Sequence, residues 1–228
     1  MYIQTLTLEI TRRCNMQCDH CLRGEAQVLD MDLSIIDKVL ESGVGISGVV
    51  FTGGEPSLYP EAIKYFVDRL RYYGKSISSF YVKTNGKVES LSMAVALLDL
   101  YSLVDEPEMC HLDVSRDQFH TGNENPRLYE GLKFYVPGKH NDYKMDALYN
   151  EGLAFDNGWG TRNPESSRFY FDGEDSVETV QIAANGNVCG QCDISFERED
   201  EETYGSILDK PLDKILEEAY HNEVEQAA

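Results

Sequence analysis

Tyr2-Ile3-Gln4-Thr5-Leu6-Thr7-Leu8-Glu9-Ile10 runs through Thr11-Arg12-Arg13 into Cys14-Asn15-Met16-Gln17-Cys18-Asp19-His20-Cys21. Ile3, Leu6, Leu8 and Ile10 alternate with polar neighbours, the period of a half-buried strand, and three cysteines follow its end directly. Outward from this stretch, strand, loop and helix repeat. Asp32 caps a helix carrying Leu33, Ile36, Val39 and Leu40, ended by Gly43. Gly48 to Thr52 reads as a short buried strand, and Pro60 opens a helix with Ile63, Phe66, Val67 and Leu70. Phe80 to Thr84 is the third strand, Ser90 to Leu100 a helix, and Leu112 to Ser115 the fourth strand, with a helix predicted from Pro126 to Phe134. Tyr143 to Pro164 follows no period. Val177 to Ala184 is a late strand turning at Asn185-Gly186, and Pro211 starts a last helix with Leu212, Ile215, Leu216 and Ala219 inward.

Alternating strands and helices predict an α/β fold with a parallel sheet and right-handed crossovers. A closed eight-unit barrel needs about 250 residues, so 228 residues with about six units fit an open, partial (β/α)6 TIM-like barrel. A doubly wound sheet is the alternative. The predicted division is a barrel core over 1–175 and a short C-terminal extension over 176–228. In either architecture functional residues lie just past the C-terminal ends of the strands.

Composition restricts the partners. An apolar fraction of 42% builds a real core, and a net charge of −20 repels phosphate backbones, which argues against nucleic acid. No stretch is apolar enough to span a membrane, and Met1-Tyr2-Ile3-Gln4 lacks the basic-then-apolar pattern of a secretory signal. Six cysteines without that signal predict a cytoplasmic setting in which thiolates bind metal more often than they pair.

Thiolates select zinc, copper(I) or iron–sulfur clusters. Cys14, Cys18 and Cys21 offer three ligands, and a four-iron cube taking only three keeps one metal corner open. A structural zinc completed by His20 or a distant cysteine is the other occupant, although His20 beside Cys21 makes joint ligation of one tetrahedral ion awkward.

The CxxxCxxC loop after a first strand resembles the signature of the radical S-adenosylmethionine (radical SAM) enzymes, with His20 at the aromatic position before the last cysteine. The resemblance implies a [4Fe–4S] cluster on Cys14, Cys18 and Cys21, with SAM on the unique iron. Gly53-Gly54-Glu55-Pro56, after the second strand, is similar to the family's GGEP element, which implies contact of Gly53, Gly54 and Glu55 with the SAM amino group. Thr84-Asn85-Gly86 resembles the family's TNG turn and assigns Asn85 to the SAM carboxylate or the substrate. Ser115 and Asp117, on one face of the fourth strand's end, are the expected ribose contacts. Arg116 is read as a surface ion pair, His120 as a satisfied loop histidine, and Glu151-Gly152-Leu153-Ala154 as the counterpart of the family's fifth-strand glycine pattern. No residue is nominated as catalytic.

Cys189-Gly190-Gln191-Cys192 with Tyr204-Gly205-Ser206-Ile207 resembles a shortened SPASM or twitch extension. There an auxiliary metal on Cys189 and Cys192 competes with plain reduced thiols. Cys110, roughly 13–17 Å along the strand from Ser115, belongs to the opposite end. The acidic run Glu197 to Glu202 reads as a solvated loop. The resemblance implies reductive cleavage of SAM to a 5′-deoxyadenosyl radical, hydrogen abstraction from the substrate, and a flavodoxin- or ferredoxin-type reductant. A ribosomally made peptide is the expected substrate. A small carbohydrate or nucleotide-like metabolite, and a non-catalytic metal-binding module on the same fold, are the alternatives.

Overall fold

The computed structural model describes residues 1–120, 126–139, 144, 147–163, 166–191 and 193–227. Its centre is β1 (Tyr2–Thr11), flanked on one side by β2 (Gly45–Gly53), β3 (Ser79–Thr84), β4 (His111–Val114) and the two-residue β5 (Tyr135–Val136). On the other side of β1 lies β6 (Ser176–Ile182), hairpinned to β7 (Val188–Cys189), so the order is β5-β4-β3-β2-β1-β6-β7. Among the described residues, β6 pairs with β7 antiparallel and the other pairings between these strands are parallel. The sheet is open and mostly parallel, the α/β class expected of a partial barrel.

Three helices connect the first four strands. In α1 (Leu33–Glu41) the Asp32 side chain accepts the Ser34 N–H and Ile35, Ile36, Val39 and Leu40 are buried. In α2 (Pro60–Tyr73) Pro60 holds the first turn and Gly74, at φ +61°, closes the last. In α3 (Leu91–Tyr101) Ser90 caps by accepting the Met93 N–H. Sequential strands with right-handed crossovers place all three helices on one face, which excludes double winding. Phe51 of β2 meets the Phe66 ring of α2 edge-on, and Phe51 pairs in register with Leu8. Leu6, Leu8 and Ile10 therefore face the helices. The other face of β1 carries Thr7, Glu9 and Thr11, polar and buried.

Two expectations change. The segment predicted as helix from Pro126 to Phe134 is one 3-10 turn, Arg127–Tyr129, before β5. Its apolar spacing reports core packing: Tyr129 is fully buried with its hydroxyl accepting the Ser90 N–H, Phe134 packs on Phe80, and Gly131 weakens any helix between them. The late strand forms β6 beside β1, which is buried along most of its length and takes a parallel partner on each edge. Finally, the acidic run is not a loop. It forms α5 (Phe196–Glu201), capped by Ser195, with Glu199 wholly buried. A short helix, α4 (Gly152–Asp156), falls within the unassigned span, part of which lies outside the described residues, and α6 (Leu212–Ala227) is the final helix. Among the described residues no helix is long and apolar enough to cross a membrane.

A candidate cofactor site at the open end of the sheet

The loop after β1 is held by backbone bonds at several points. Cys21 N–H reaches Cys18 O at 2.9 Å, Leu153 N–H reaches Cys21 O at 2.9 Å, and Phe196 N–H reaches Arg23 O at 3.1 Å. Gly152 sits at φ +58°, where a Cβ would stand 2.3 Å from the Leu22 carbonyl oxygen, so only glycine lets α4 press on this loop. The span Glu151-Gly152-Leu153-Ala154 is thus a helix start packed on the cysteines. Cys14, Cys18 and Cys21 are free, half-buried thiols. They line both a cavity of about 420 Å³ at the C-terminal edge of the sheet and one of about 410 Å³ behind the loop.

Burial, with the neighbouring Cys21 and Cys14 sulfurs, pushes the Cys18 thiol up to about 12. Burial likewise raises Cys14, against hydrogen bonds from the Met16 and Asn15 backbone. Three thiols on one short loop are a donor set suited to a cationic centre, whose charge offsets that of the thiolates as it binds. Among the described residues no three His, Cys, Asp or Glu side chains converge tightly enough for a single ion. A structural zinc requires such convergence, whereas thiolates on a cubane bind different irons and stand apart. Three cysteines on one loop are the donor set of a four-iron cluster that leaves one iron open.

Gly53 and Gly54 lie against the β1 exit: a Cβ would stand 2.0 Å from Thr11 O at Gly53 and 2.3 Å from Arg13 O at Gly54. Both glycines line both cavities. Glu55, 1% exposed, lines the sheet-edge cavity but also ties two strand ends together. Its Oε1 accepts the Ser57 N–H at 3.0 Å and the Thr84 hydroxyl at 2.6 Å, and its Oε2 accepts the Asn85 N–H at 2.8 Å. The Asn85 amide donates to Asn15 Oδ1 at 2.7 Å and to Cys14 Sγ at 4.0 Å, joining the β3 turn to the cysteine loop.

Ser115 and Asp117 line the same cavity, as do Lys83 and His120. Asp117 accepts the Phe119 and His120 N–H groups at 2.9 and 3.1 Å and meets His120 Nδ1 at 2.8 Å. Burial alone would raise this carboxyl, but the His120 ring and those N–H groups hold it below the ordinary range. His120 is thus paired, as expected of a loop histidine, and it also faces the cavity; its Asp-x-x-His spacing was the available signal. Arg116 donates to the Gly138 carbonyl at 3.5 Å. His20 stacks on Phe119 at 3.9 Å, Phe119 stacks on Trp159 at 5.9 Å, and buried His20 Nδ1 lacks a partner among the described residues. Burial and His120 push His20 down to about 4, so its ring is neutral near pH 7.

In the C-terminal segment Cys189 is fully buried with its thiol on Glu199 O at 3.6 Å, and burial pushes it up to about 12. Cys192 lies outside the described residues. Cys110 is buried just before β4, at the end of that strand away from Ser115.

These features define a parallel-sheet domain with a three-cysteine loop after its first strand. Residues 8–103 match the model of the radical SAM superfamily. It is similar, at 30% identity over 88 residues, to the GTP 3′,8-cyclase of Chlorobaculum tepidum, and at 32% over 101 residues to the tungsten-containing aldehyde ferredoxin oxidoreductase cofactor-modifying protein of Pyrococcus furiosus. These matches cover 37% and 42% of this chain and 26% and 27% of the relatives, so the chain spans about a quarter of their length. In fold it is similar to anSMEcpe with bound AdoMet and Cp18Cys peptide, with a TM-score of 0.56, 13% identity and coverage of 95% of this chain and 80% of that one. It is also similar to SuiB of Streptococcus suis bound to precursor peptide SuiA, with a TM-score of 0.52, 11% identity and coverage of 94% and 64%.

Proposed function

We propose that the chain is a radical SAM enzyme acting on a peptide, with Cys14, Cys18 and Cys21 as ligands of a [4Fe–4S] cluster. The observation that carries this reading is one cavity at the C-terminal edge of a parallel sheet shared by the three thiols, Gly53, Gly54, Glu55, Asn85, Ser115 and Asp117. Held by Cys14, Cys18 and Cys21, such a cluster would supply the one-electron reduction of SAM from which hydrogen abstraction at the substrate would follow. The residues present do the rest. Gly53 and Gly54 expose backbone at the cavity wall, where no side chain stands between the chain and a ligand. Glu55 fixes the Thr84-Asn85 turn, and Asn85 brings an amide N–H to the Cys14 sulfur. Hydrogen bonds of this kind to cluster sulfur tune its potential. Ser115 offers a hydroxyl for the ribose, and Asp117 is held ionised beside His120 at the same wall. The stacked His20, Phe119 and Trp159 rings shield that side from water, which a reactive alkyl radical requires.

The peptide is favoured because two folds that align with more than nine-tenths of this chain are described with peptides bound. The GTP 3′,8-cyclase match supports a second reading, a nucleotide-like metabolite. It covers little over a third of the chain, however, and the family match ends at residue 103, before β4 and the residues that follow it. The test is anaerobic reconstitution with iron and sulfide, reduction, addition of SAM, and detection of 5′-deoxyadenosine. Product from the wild type and none from Cys18→Ala is expected; equal product from both refutes the ligand assignment.

A further inference from the structure

The C-terminal segment carries a buried device for which a shortened auxiliary extension gives no reason. Arg12 stands two residues before Cys14 and Arg23 two residues after Cys21, one at each foot of the cysteine loop. Both guanidiniums converge on the same two carboxylates, Glu9 of β1 and Glu199 of α5, each fully buried. Arg12 reaches Glu9 at 3.0 Å and Glu199 at 2.5 Å; Arg23 reaches Glu9 at 2.5 Å and also contacts Glu199. The Phe196 ring lies under both cations, with centroid distances of 4.7 Å to Arg12 and 4.6 Å to Arg23. The remaining valences are filled. Ala184 N–H and the Gln181 amide donate to Glu9 and Glu199, Arg23 donates to the Ile194 carbonyl at 2.5 Å, and Arg12 donates to Gln27 and Asp200 at 3.0 and 3.2 Å.

Two charges of each sign, buried and fully hydrogen-bonded, form a geometry that tolerates few alternatives. Two of its members, Phe196 and Glu199, come from one turn of a helix more than 170 residues from the loop. A buried structural ion pair needs only two partners; here the shared carboxylates fix the distance between the loop's two ends.

The geometry points to α5 as a clamp on the cluster loop, with Glu199 and Phe196 as positioning residues that hold Cys14 and Cys21 at cluster-binding separation. This inference rests on the proposed cluster and assigns the tail a mechanical role in place of an auxiliary metal. The ligand is the iron–sulfur cluster, and the readout is its retention, independent of turnover.

The test compares full-length wild type, Glu199→Gln and Phe196→Leu with Leu70→Ala, a buried α2 substitution whose melting-temperature loss in the iron-free chain serves as the stability match. Each protein is reconstituted anaerobically with iron and sulfide and challenged with an iron chelator. The clamp predicts iron release about tenfold to a hundredfold faster in Glu199→Gln, and faster in Phe196→Leu, with Leu70→Ala near the wild type. Phe196→Leu keeps the charges and most of the apolar volume, so it reports on the clamp even where Glu199→Gln folds poorly. If wild type loads and both clamp variants release iron no faster than Leu70→Ala, the clamp is overturned while the cluster stands. A wild type that takes up no iron overturns both.

Discussion

Glu55→Gln is isosteric, so it tests a carboxylate without making a cavity. Each oxygen of Glu55 accepts a backbone N–H, from Ser57 at 3.0 Å and from Asn85 at 2.8 Å, and Oε1 also takes the Thr84 hydroxyl. A glutamine must set its NH2 against one of those two N–H groups whichever way it is flipped. Either choice removes one charge-assisted hydrogen bond and leaves a buried donor unpaired, a loss of about 2 kcal/mol. In a domain of this size that is a fall of about 4–8 °C in melting temperature. The assay is thermal unfolding of the iron-free chain by circular dichroism, checked by the urea midpoint. A fall below about 1 °C, the range of an ordinary surface substitution, would refute the role of Glu55 as the tie between β2 and β3.

Gly54→Ala forces a Cβ to within 2.3 Å of the Arg13 oxygen, and the backbone must shift; a loss of about 3 kcal/mol in urea unfolding is expected, and a neutral result would contradict the close approach. Asp117 titrates lower in the folded than in the unfolded chain, so its contribution is present above the ordinary value of 3.8 and is lost as pH falls through the depressed one. Urea midpoints should therefore drop more steeply below pH 4 in wild type than in Asp117→Asn, and parallel acid limbs would count against the His120 pairing. Asn85→Leu removes the amide beside Cys14 Sγ and should shift the cluster's midpoint potential in redox titration; an unchanged potential would mean that the contact has no influence on the sulfur.

What the sequence disclosed was local. The strand before Cys14, the Gly53-Gly54 turn and the helix starts at Asp32 and Ser90 are set by neighbouring residues and periodicity, and the structure has them where those patterns put them. What it concealed depends on distant partners. Glu199 reads as one acid in a solvated run because the arginines that bury it are 176 and 187 residues away. The placement of β6 beside β1 follows from an open strand edge, which periodicity does not encode. Leu128, Tyr129, Leu132 and Phe134 imitate a helix face while packing from an irregular segment against β3 and α3. Glu55 was legible as a candidate site residue, but its three bonds to the chain itself were not.

The central claim is a four-iron cluster on three cysteines with one iron free to take SAM. Mössbauer spectra of the anaerobically reconstituted chain, with and without SAM, test it most directly. The account predicts about four irons per chain, of which one alone changes its signal when SAM is added. A chain that binds a single zinc in this loop, or a cluster whose irons are all indifferent to SAM, would contradict it.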